Sequence, residues 1–209
     1  MSELIYSPML RYDIEECAML AAQSYADYEY FTAHFPDRER RLAFLNRAIL
    51  SEYRTTFGRA HFLVARQDGL LVAVAQIFPP DYRKPSTLRY LTHGWCRVLA
   101  LPDQKAVNAW SKMDESAAAY CHAMMGGGTW YLSSLTVSAA QRGQGIGTAM
   151  LKDGIAQHVR RNGGTRFCLF TNSERNLRFY QRSGFRIVDE KTFSYGGQAI
   201  CSWSLARKV

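Results

Sequence analysis

Three closely spaced glycines between an apolar strand and a helix are the feature that most restricts how this chain can fold. They stand at positions 143, 145 and 147 in the stretch Leu132–Thr148, LSSLTVSAAQRGQGIGT. Glycine has no side chain, so the backbone turns tightly there and a ligand can approach it closely. The helix after the loop leaves its first N–H groups unpaired and directed at the loop. Together with the helix dipole and the guanidinium of Arg142, these groups are typical of a pyrophosphate cradle.

Two familiar phosphate-binding loops do not fit this spacing. A P-loop needs GxxxxGK[ST], and the segment has neither that spacing nor the Lys-Ser/Thr pair. A dinucleotide-binding loop needs GxGxxG directly after a strand and an acidic residue about 20 positions later. Here the spacing is GxGxG, and that distance falls in the basic run HVRRNGG. Two interpretations are left: a glycine-rich turn without a ligand, and a different cofactor loop written RGQGIG over residues 142–147.

The elements after the loop supply a second motif. Residues 148–161 have the apolar spacing of a helix, and a short buried strand, TRFCLF, is predicted over residues 165–170. The segment TNSERNLRFYQRSGF then covers residues 171–185 and predicts a further helix. Asn176 and Tyr180 are four residues apart, so they share one face of that helix.

The order of these elements over Thr129–Glu190 resembles the conserved half of the GNAT superfamily of N-acetyltransferases, through RGQGIG and TN…N…FY…GF. The resemblance implies an α/β (α+β) fold, with a mixed, mostly antiparallel sheet of six to seven strands flanked by helices on both faces. It also implies acetyl-CoA (coenzyme A) as cosubstrate, bound in a cleft between the Leu132–Val137 and 165–170 strands. Acyl transfer would then be direct, in a ternary complex with the amine.

The resemblance assigns binding residues as well. In the family, backbone N–H groups of the loop bind the pyrophosphate, the end of the preceding strand pairs with the pantetheine arm, and an Asn of the next helix contacts that arm or adjacent backbone. These roles correspond here to Arg142, Gly143, Gln144, Gly145, Ile146, Gly147 and Thr148 in the loop, Leu135, Thr136 and Val137 in the strand, and Asn176 in the helix.

Tyr180 corresponds to the family tyrosine that commonly protonates the leaving thiolate, which makes it the candidate catalytic residue. A phenol with a pKa near 10 keeps its proton at neutral pH and can donate it. The alternatives are a packing role for Tyr180 and a plain surface position for Asn176.

The attacking amine must also lose a proton, and the sequence does not single out the base. Strand alternation predicts that only one of Ser133 and Ser134, both candidates for a proton relay, faces the cleft. The candidate bases, for each of which a solvated surface position is the alternative, are Asp27, Glu29, Asp114, Glu115 and His122.

Aromatic side chains crowd the connection between the first two predicted helices, Tyr12–Tyr25 and Arg40–Thr55. In GNAT enzymes this connection forms part of the acceptor site. An aromatic wall for a flat or cationic acceptor and core packing under a long loop are both open interpretations. The aromatic residues concerned are Tyr25, Tyr28, Tyr30, Phe31, His34 and Phe35.

Other elements of the first half follow from local pattern. A short strand is predicted near Met9–Arg11, and a hairpin is predicted from His61–Arg66 and Leu70–Phe78. A helical insertion over Lys105–Met125 resembles the branch that includes puromycin-type small-molecule N-acetyltransferases, and it favours a small amine as acceptor.

Composition narrows the class of protein. The 209 residues, 47% of them hydrophobic and 21% charged, suit one domain with a sizeable core. No apolar run reaches the roughly 18 residues of a membrane span, and the N-terminus lacks the pattern of a signal peptide, so a cytoplasmic protein without membrane contact is predicted. The five cysteines contain no CxxC and no zinc-type spacing with histidine, which predicts reduced thiols and no metal.

The net charge of +8 raises the question of a polyanionic partner, yet no nucleic-acid-binding motif is present. We therefore predict no nucleic-acid partner, and a monomer or homodimer. The predicted organisation is one domain over residues 1–209. It comprises an acceptor-side half (about 1–128), an acetyl-CoA-binding core (about 129–190) and C-terminal strands (about 185–207).

The predicted function is transfer of an acetyl group from acetyl-CoA to a primary amine of a small molecule. The alternatives are a protein or peptide N-acetyltransferase, a non-catalytic acyl-CoA-binding sensor, and a nucleotide-binding protein of another fold. The sequence names neither the acceptor nor the length of the acyl chain.

Overall fold

The computed structural model describes residues 3–209, with the side chain of Met125 left out. Over these residues seven strands form one sheet in the order β1-β2-β3-β4-β5-β7-β6. Neighbouring strands are antiparallel except for β4 and β5, which are parallel. The predicted mixed, mostly antiparallel sheet is confirmed. The strands are β1 (Leu4–Pro8), β2 (His61–Gln67), β3 (Leu70–Phe78), β4 (Trp130–Val137), β5 (Arg166–Thr171), β6 (Arg186–Tyr195) and β7 (Gln198–Lys208).

Helices lie between these strands. A π-helical turn at Leu91–Trp95 joins α4 to α5, and another at Met150–Ile155 joins α7 to α8, so residues 146–161 form one continuous helix. The helices are α1 (Ile14–Tyr25), α2 (Glu29–His34), α3 (Arg38–Thr56), α4 (Thr87–Tyr90), α5 (Cys96–Leu99), α6 (Gln104–Met125), α7 (Ile146–Ala149), α8 (Ala156–Arg161) and α9 (Glu174–Arg182).

Helices cover both faces of the sheet, as predicted. On one face the 146–161 helix buries Met150, Leu151 and Ile155 against residues such as Leu63. On the other face α1 and α3 pack on residues that alternate with those, including Val64. Alternation along the strands thus supplies an apolar surface to each layer of helices.

One prediction about the first half needs correction, and one element there was not predicted. The strand predicted near Met9–Arg11 is wrong, because β1 ends at Pro8 and Arg11–Asp13 form a 3₁₀ turn in front of α1. The Asp13 carboxylate stabilises that turn by accepting from the Leu10 N–H at 2.8 Å and from Arg66 at 2.7 Å. The aromatic connection after α1 also contains a short helix, α2, that the sequence pattern did not reveal.

The predicted hairpin between β2 and β3 is confirmed. Asp68 (φ 51°) and Gly69 (φ 79°) both adopt the left-handed conformation that a two-residue hairpin turn requires. The predicted insertion helix is present as α6, and it packs across β5, β6 and β7. Cys121 of α6 is buried there against Tyr131 and Cys168.

Two searches of residues 3–209 complete the description. No helix in this part of the chain has both the length and the apolar composition to cross a membrane. No group of three or more histidine, cysteine, aspartate or glutamate side chains within it is arranged to hold a metal ion.

Candidate active site

β4 and β5 lie side by side at their first residues and then separate. Their pairing is limited to Trp130 with Phe167 and Tyr131 with Cys168. Beyond these pairs β4 stays bonded to β3, as far as the pairing of Val137 with Ala73. The edge of β4 that faces β5 therefore carries backbone N–H and C=O groups with no partner strand over residues 132–137.

A cavity of about 780 Å³ lies at this separation. Its lining includes Leu132 to Leu135 of β4 and Leu169 to Thr171 of β5. Further residues come from α2, α3, α6, α9 and the segment between β3 and α5. The cavity thus joins the second half of the chain to elements of the first half.

The glycine loop follows β4 and has the backbone conformation that its sequence predicts. Gly143 (φ 81°) and Gly145 (φ 79°) are both left-handed, and a Cβ atom at either position would meet no atom within 4 Å. Backbone conformation and not crowding therefore requires glycine at these two positions. At Gly147 crowding matters instead, since a Cβ there would lie 3.2 Å from Cζ of Phe179 on α9.

Contacts with α1 also fix the loop. The Arg142 guanidinium donates to the backbone carbonyl of Ser24 at 2.8 Å and to its hydroxyl at 3.1 Å. Gln144 and Thr148 are exposed, whereas Ile146 is buried. The loop residues are not part of the cavity lining; they present exposed backbone beside it.

Asn176 and Tyr180 both line the cavity from α9, as their spacing predicts. The Tyr180 ring packs against Phe179 and Phe185 at centroid distances of 5.0 and 5.3 Å. Its hydroxyl makes no hydrogen bond to any residue that the structure describes. Burial, with a smaller effect of Tyr28, raises the pKa of Tyr180, so the phenol keeps its proton at neutral pH.

Tyr28 connects the aromatic segment to the start of α9. Its hydroxyl lies 3.1 Å from Oγ1 of Thr171 and accepts a hydrogen bond from the Asn172 N–H at 2.7 Å. Burial raises the pKa of Tyr28 to about 12, and hydrogen bonds with Thr171, Asn172 and Asn176 oppose the rise. This single hydroxyl therefore holds the acceptor-side segment against the end of β5.

Some of the aromatic residues between α1 and α3 pack in the core, and others line the cavity. His34 stacks on Tyr195 at 4.4 Å and Phe35 stacks on Phe44 at 4.3 Å, so these two pack in the core. The residues that line the cavity are Tyr25, Tyr28, Tyr30 and Phe31.

Glu52 of α3 is a carboxylate of the cavity that the sequence did not suggest. It accepts hydrogen bonds from Gln76 at 3.1 Å and from the Tyr90 hydroxyl at 2.9 Å. Burial raises the pKa of Glu52, and these two hydrogen bonds, then the charge of Lys84, oppose the rise. Gln76 pairs across the sheet with Ser134 of β4, and Glu52, Gln76 and Ser134 all line the cavity.

A signal for Glu52 was present but weak. The face of α3 that turns inward carries several polar side chains in succession, including Ser51, Thr55 and Thr56, all buried. Buried polar residues on one helix face are uncommon, and the sequence shows only their polar type and helical spacing, not their burial. The many charges elsewhere on α3 obscure this pattern when the sequence is considered alone.

Asp114 and Glu115 of α6 also line the cavity. Lys84, from the segment before α4, forms an ion pair with Glu115. The Asp114 carboxylate has no hydrogen bond or ion pair with any described residue. Burial, reinforced by the charges of Glu52 and Glu115 and opposed by Lys84, raises the pKa of Asp114 to about 7. One carboxyl group of the cavity therefore changes protonation near neutral pH.

The other candidate bases differ in whether they line the cavity. His122 lines the cavity, its ring lies 4.7 Å from that of Tyr131, and burial lowers its pKa. Asp27 and Glu29 are exposed and do not line the cavity.

Ser133 and Ser134, of which strand alternation predicts that only one faces the cleft, are both among the residues that line the cavity. On β3, Gln76 pairs with Ser134 while Ile77 pairs with Leu132, which leaves Ser133 as an extra residue in a β-bulge. A bulge interrupts the strict alternation of side chains along a strand.

The chain is similar to known acetyltransferases in sequence and in structure. A family model described as the acetyltransferase (GNAT) family matches residues 21–185. A Corynebacterium glutamicum structure described as histone acetyltransferase HPA2 and related acetyltransferase aligns at 19% identity, covering 99% of this chain and 96% of its own, with a TM-score of 0.64. The Drosophila melanogaster polyamine N-acetyltransferase aligns at 18% identity, covering 99% and 100%, with a TM-score of 0.61. An agmatine N-acetyltransferase aligns at 17% identity, also covering 99% and 100%, with a TM-score of 0.60.

Proposed function

The chain belongs to the GNAT family of acetyltransferases and is an acyltransferase, and we propose that it moves an acetyl group from acetyl-CoA to the primary amine of a small molecule. The observation that carries the proposal is a cavity lined by two of the predicted features, with the third next to it along the chain. The free edge of β4 and Tyr180 line the cavity, and the glycine loop follows β4 after a short 3₁₀ turn.

The proposed binding surface for acetyl-CoA, called the donor side below, consists mainly of backbone groups. The left-handed glycines 143 and 145 expose the N–H groups of the loop and of the first helical turn, which suit a pyrophosphate. The unpaired edge of β4 at residues 135–137 suits the amide groups of a pantetheine arm, which would add to the sheet like a further strand. Asn176 lines the same cavity, which supports assigning it a contact with that arm.

Tyr180 serves as the acid in this mechanism. The amine nitrogen attacks the thioester carbonyl, and a backbone N–H near Val137 stabilises the tetrahedral oxyanion. When the C–S bond breaks, the thiolate takes the proton of the Tyr180 hydroxyl, which has no other partner among the described residues. The proton that the attacking nitrogen loses as the amide forms returns the Tyr180 phenolate to its neutral form. The raised pKa of Tyr180 keeps that proton in place until the thiolate forms.

Glu52 serves as the proton acceptor for the amine. Its carboxylate accepts a hydrogen bond from Gln76, which pairs with Ser134 of β4, and both Glu52 and Ser134 line the cavity in which the thioester would be bound. Burial raises the pKa of Glu52, and a more basic carboxylate accepts a proton from an ammonium group more readily.

The acceptor side favours a cation of small size. Aromatic rings from α2 and carboxylates from α3 and α6 surround the cavity, a combination that attracts an ammonium group. Two proteins that share the fold are named for agmatine and for polyamine acetylation, in keeping with such an acceptor.

The test is release of free thiol from acetyl-CoA in the presence of a panel of primary amines. We expect turnover with at least one small cationic amine, and a loss of at least about tenfold in kcat for Tyr180→Phe with unchanged acetyl-CoA affinity. The matched control is Tyr12→Phe, because Tyr12 is 79% exposed and does not line the cavity. Acetyl-CoA binding without turnover on any amine would contradict the proposed reaction and favour a sensor.

A further inference from the structure

One lysine of the chain lies in the proposed acceptor site. Lys84 belongs to the segment between β3 and α4, and its ammonium contacts the Glu115 carboxylate. Both side chains line the cavity. Their exposed fractions of 63% and 59% show that the pair lies at the opening and not at the bottom.

The charges of the described cavity lining do not balance. It contains three carboxylates, Glu52, Asp114 and Glu115, and one permanent cation, Lys84. In the proposed reaction Glu52 takes the proton of the attacking amine, and Lys84 already pairs with Glu115. Asp114 is left without a partner among the described residues, and an unpaired carboxylate away from water is unfavourable.

A second group in the cavity also lacks a partner. Tyr53 is 2% exposed and lines the cavity, and its buried hydroxyl, which has Ser134 as a neighbour, makes no close hydrogen bond to any residue that the structure describes. A hydroxyl oxygen can accept a hydrogen bond from an ammonium group. The cavity therefore holds a carboxyl group without a partner, whose charged form a cationic ligand would stabilise, and a hydroxyl that can accept a hydrogen bond from such a ligand.

We propose that the acceptor carries a second cationic group besides the amine that is acetylated, and that Lys84 is the internal cation which this group displaces from the acidic part of the cavity. The inference rests on the proposed function. In the free protein the Lys84 ammonium neutralises part of the charge of the carboxylates. When a dication binds, its distal ammonium takes that place beside Asp114 and Glu115.

The displacement has a low energetic cost, because ion pairs between exposed side chains contribute little to stability. A monocation gains less from the site. The single ammonium of a monocation must lose its proton before it attacks. A monocation therefore leaves Asp114 without a partner, and Lys84 stays paired with Glu115.

The experiment compares two amines with the same number of heavy atoms, 1,4-diaminobutane and 1-aminopentane. For the unmodified protein we expect kcat/KM to be at least about tenfold higher with the diamine, as for a hydrogen bond between charged groups. Asp114→Asn should reduce that preference to less than about threefold. Lys84→Met should lower KM for the diamine at least about twofold and raise the ratio of the two kcat/KM values, because the competing cation is gone.

Lys112→Met is the matched control, since Lys112 lies exposed on α6 and does not line the cavity; it should leave both kcat/KM values unchanged. Equal kcat/KM values for the two amines, or a higher KM for the diamine in Lys84→Met, would overturn this inference while leaving the acetyltransfer reaction intact. Absence of thiol release with every amine would overturn the proposed function itself, so the two failures are distinguishable.

Discussion

Replacing Asp114 by asparagine removes a carboxylate that the fold holds in an unfavourable setting. Its pKa lies at about 7, against an ordinary value of 3.8, mainly because burial disfavours the charged form. A carboxyl group whose pKa is raised by folding stabilises the folded state below its unfolded pKa, and that contribution is lost as the pH rises through the folded pKa. The wild-type protein should therefore lose stability between about pH 4 and pH 7 through this group.

The size of the effect follows from the same two values. At about 1.4 kcal/mol per pH unit, the difference corresponds to an upper limit of about 4 kcal/mol in the free energy of unfolding. Access of water to the partly exposed carboxylate lowers this, and we expect about 2 to 4 kcal/mol. Asparagine has no charge to bury, so Asp114→Asn should gain that amount relative to wild type on going from pH 4 to pH 8.

Urea unfolding of both proteins at several pH values between 4 and 8, followed by tryptophan fluorescence, measures this difference. Glu115→Gln is the control, because Glu115 is 59% exposed and its substitution should produce a change of less than about 1 kcal/mol over the same range. A difference between Asp114→Asn and wild type that stays constant with pH would refute the reasoning.

The remaining predictions concern backbone geometry and one hydroxyl. Gly145→Ala and Gly197→Ala should each lower the free energy of unfolding by about 1 kcal/mol, because both positions have φ 79° and open space around them. Only Gly145→Ala should also raise the Kd for acetyl-CoA, as measured by calorimetry. Gly164→Ala should lower the free energy of unfolding by about 1 to 3 kcal/mol, since its Cβ would lie 2.5 Å from Nε1 of Trp130. A cost below about 0.5 kcal/mol would show that the core there yields easily. Tyr28→Phe should destabilise by about 1 to 3 kcal/mol and lower kcat/KM, because a backbone N–H loses its acceptor; unchanged kinetics would mean that this hydroxyl does not position the site.

The donor side could be predicted from sequence because its chemistry depends on short-range features. The left-handed conformations of Gly143 and Gly145 follow from residue type, and the shared face of Asn176 and Tyr180 follows from a spacing of four. Each of these relations spans only a few residues, so no knowledge of the tertiary structure is needed. The order of strands and helices in this half was predictable for the same reason.

The acceptor side depends on packing between distant segments, and sequence pattern shows much less of it. Glu52 faces the cavity because of the way α3 lies on the sheet, and its neighbours Gln76 and Tyr90 come from other parts of the chain. The bulge at Ser133 likewise arises from the register between β3 and β4, which no periodicity in one strand encodes. The candidate bases could be named, but their positions relative to the cavity could not.

The two sides of the cavity come from different stretches of the chain, and this separation bears on how such a protein can change its substrate. The carboxylates that face the acceptor stand on α3 and α6, whereas the glycine loop and Tyr180 belong to residues 142–180. Substitutions in the two helices can alter the charge and size of the accepted amine without moving the loop or the edge of β4. The fold therefore permits the specificity for the amine to evolve, or to be engineered, independently of the machinery that holds the acyl donor.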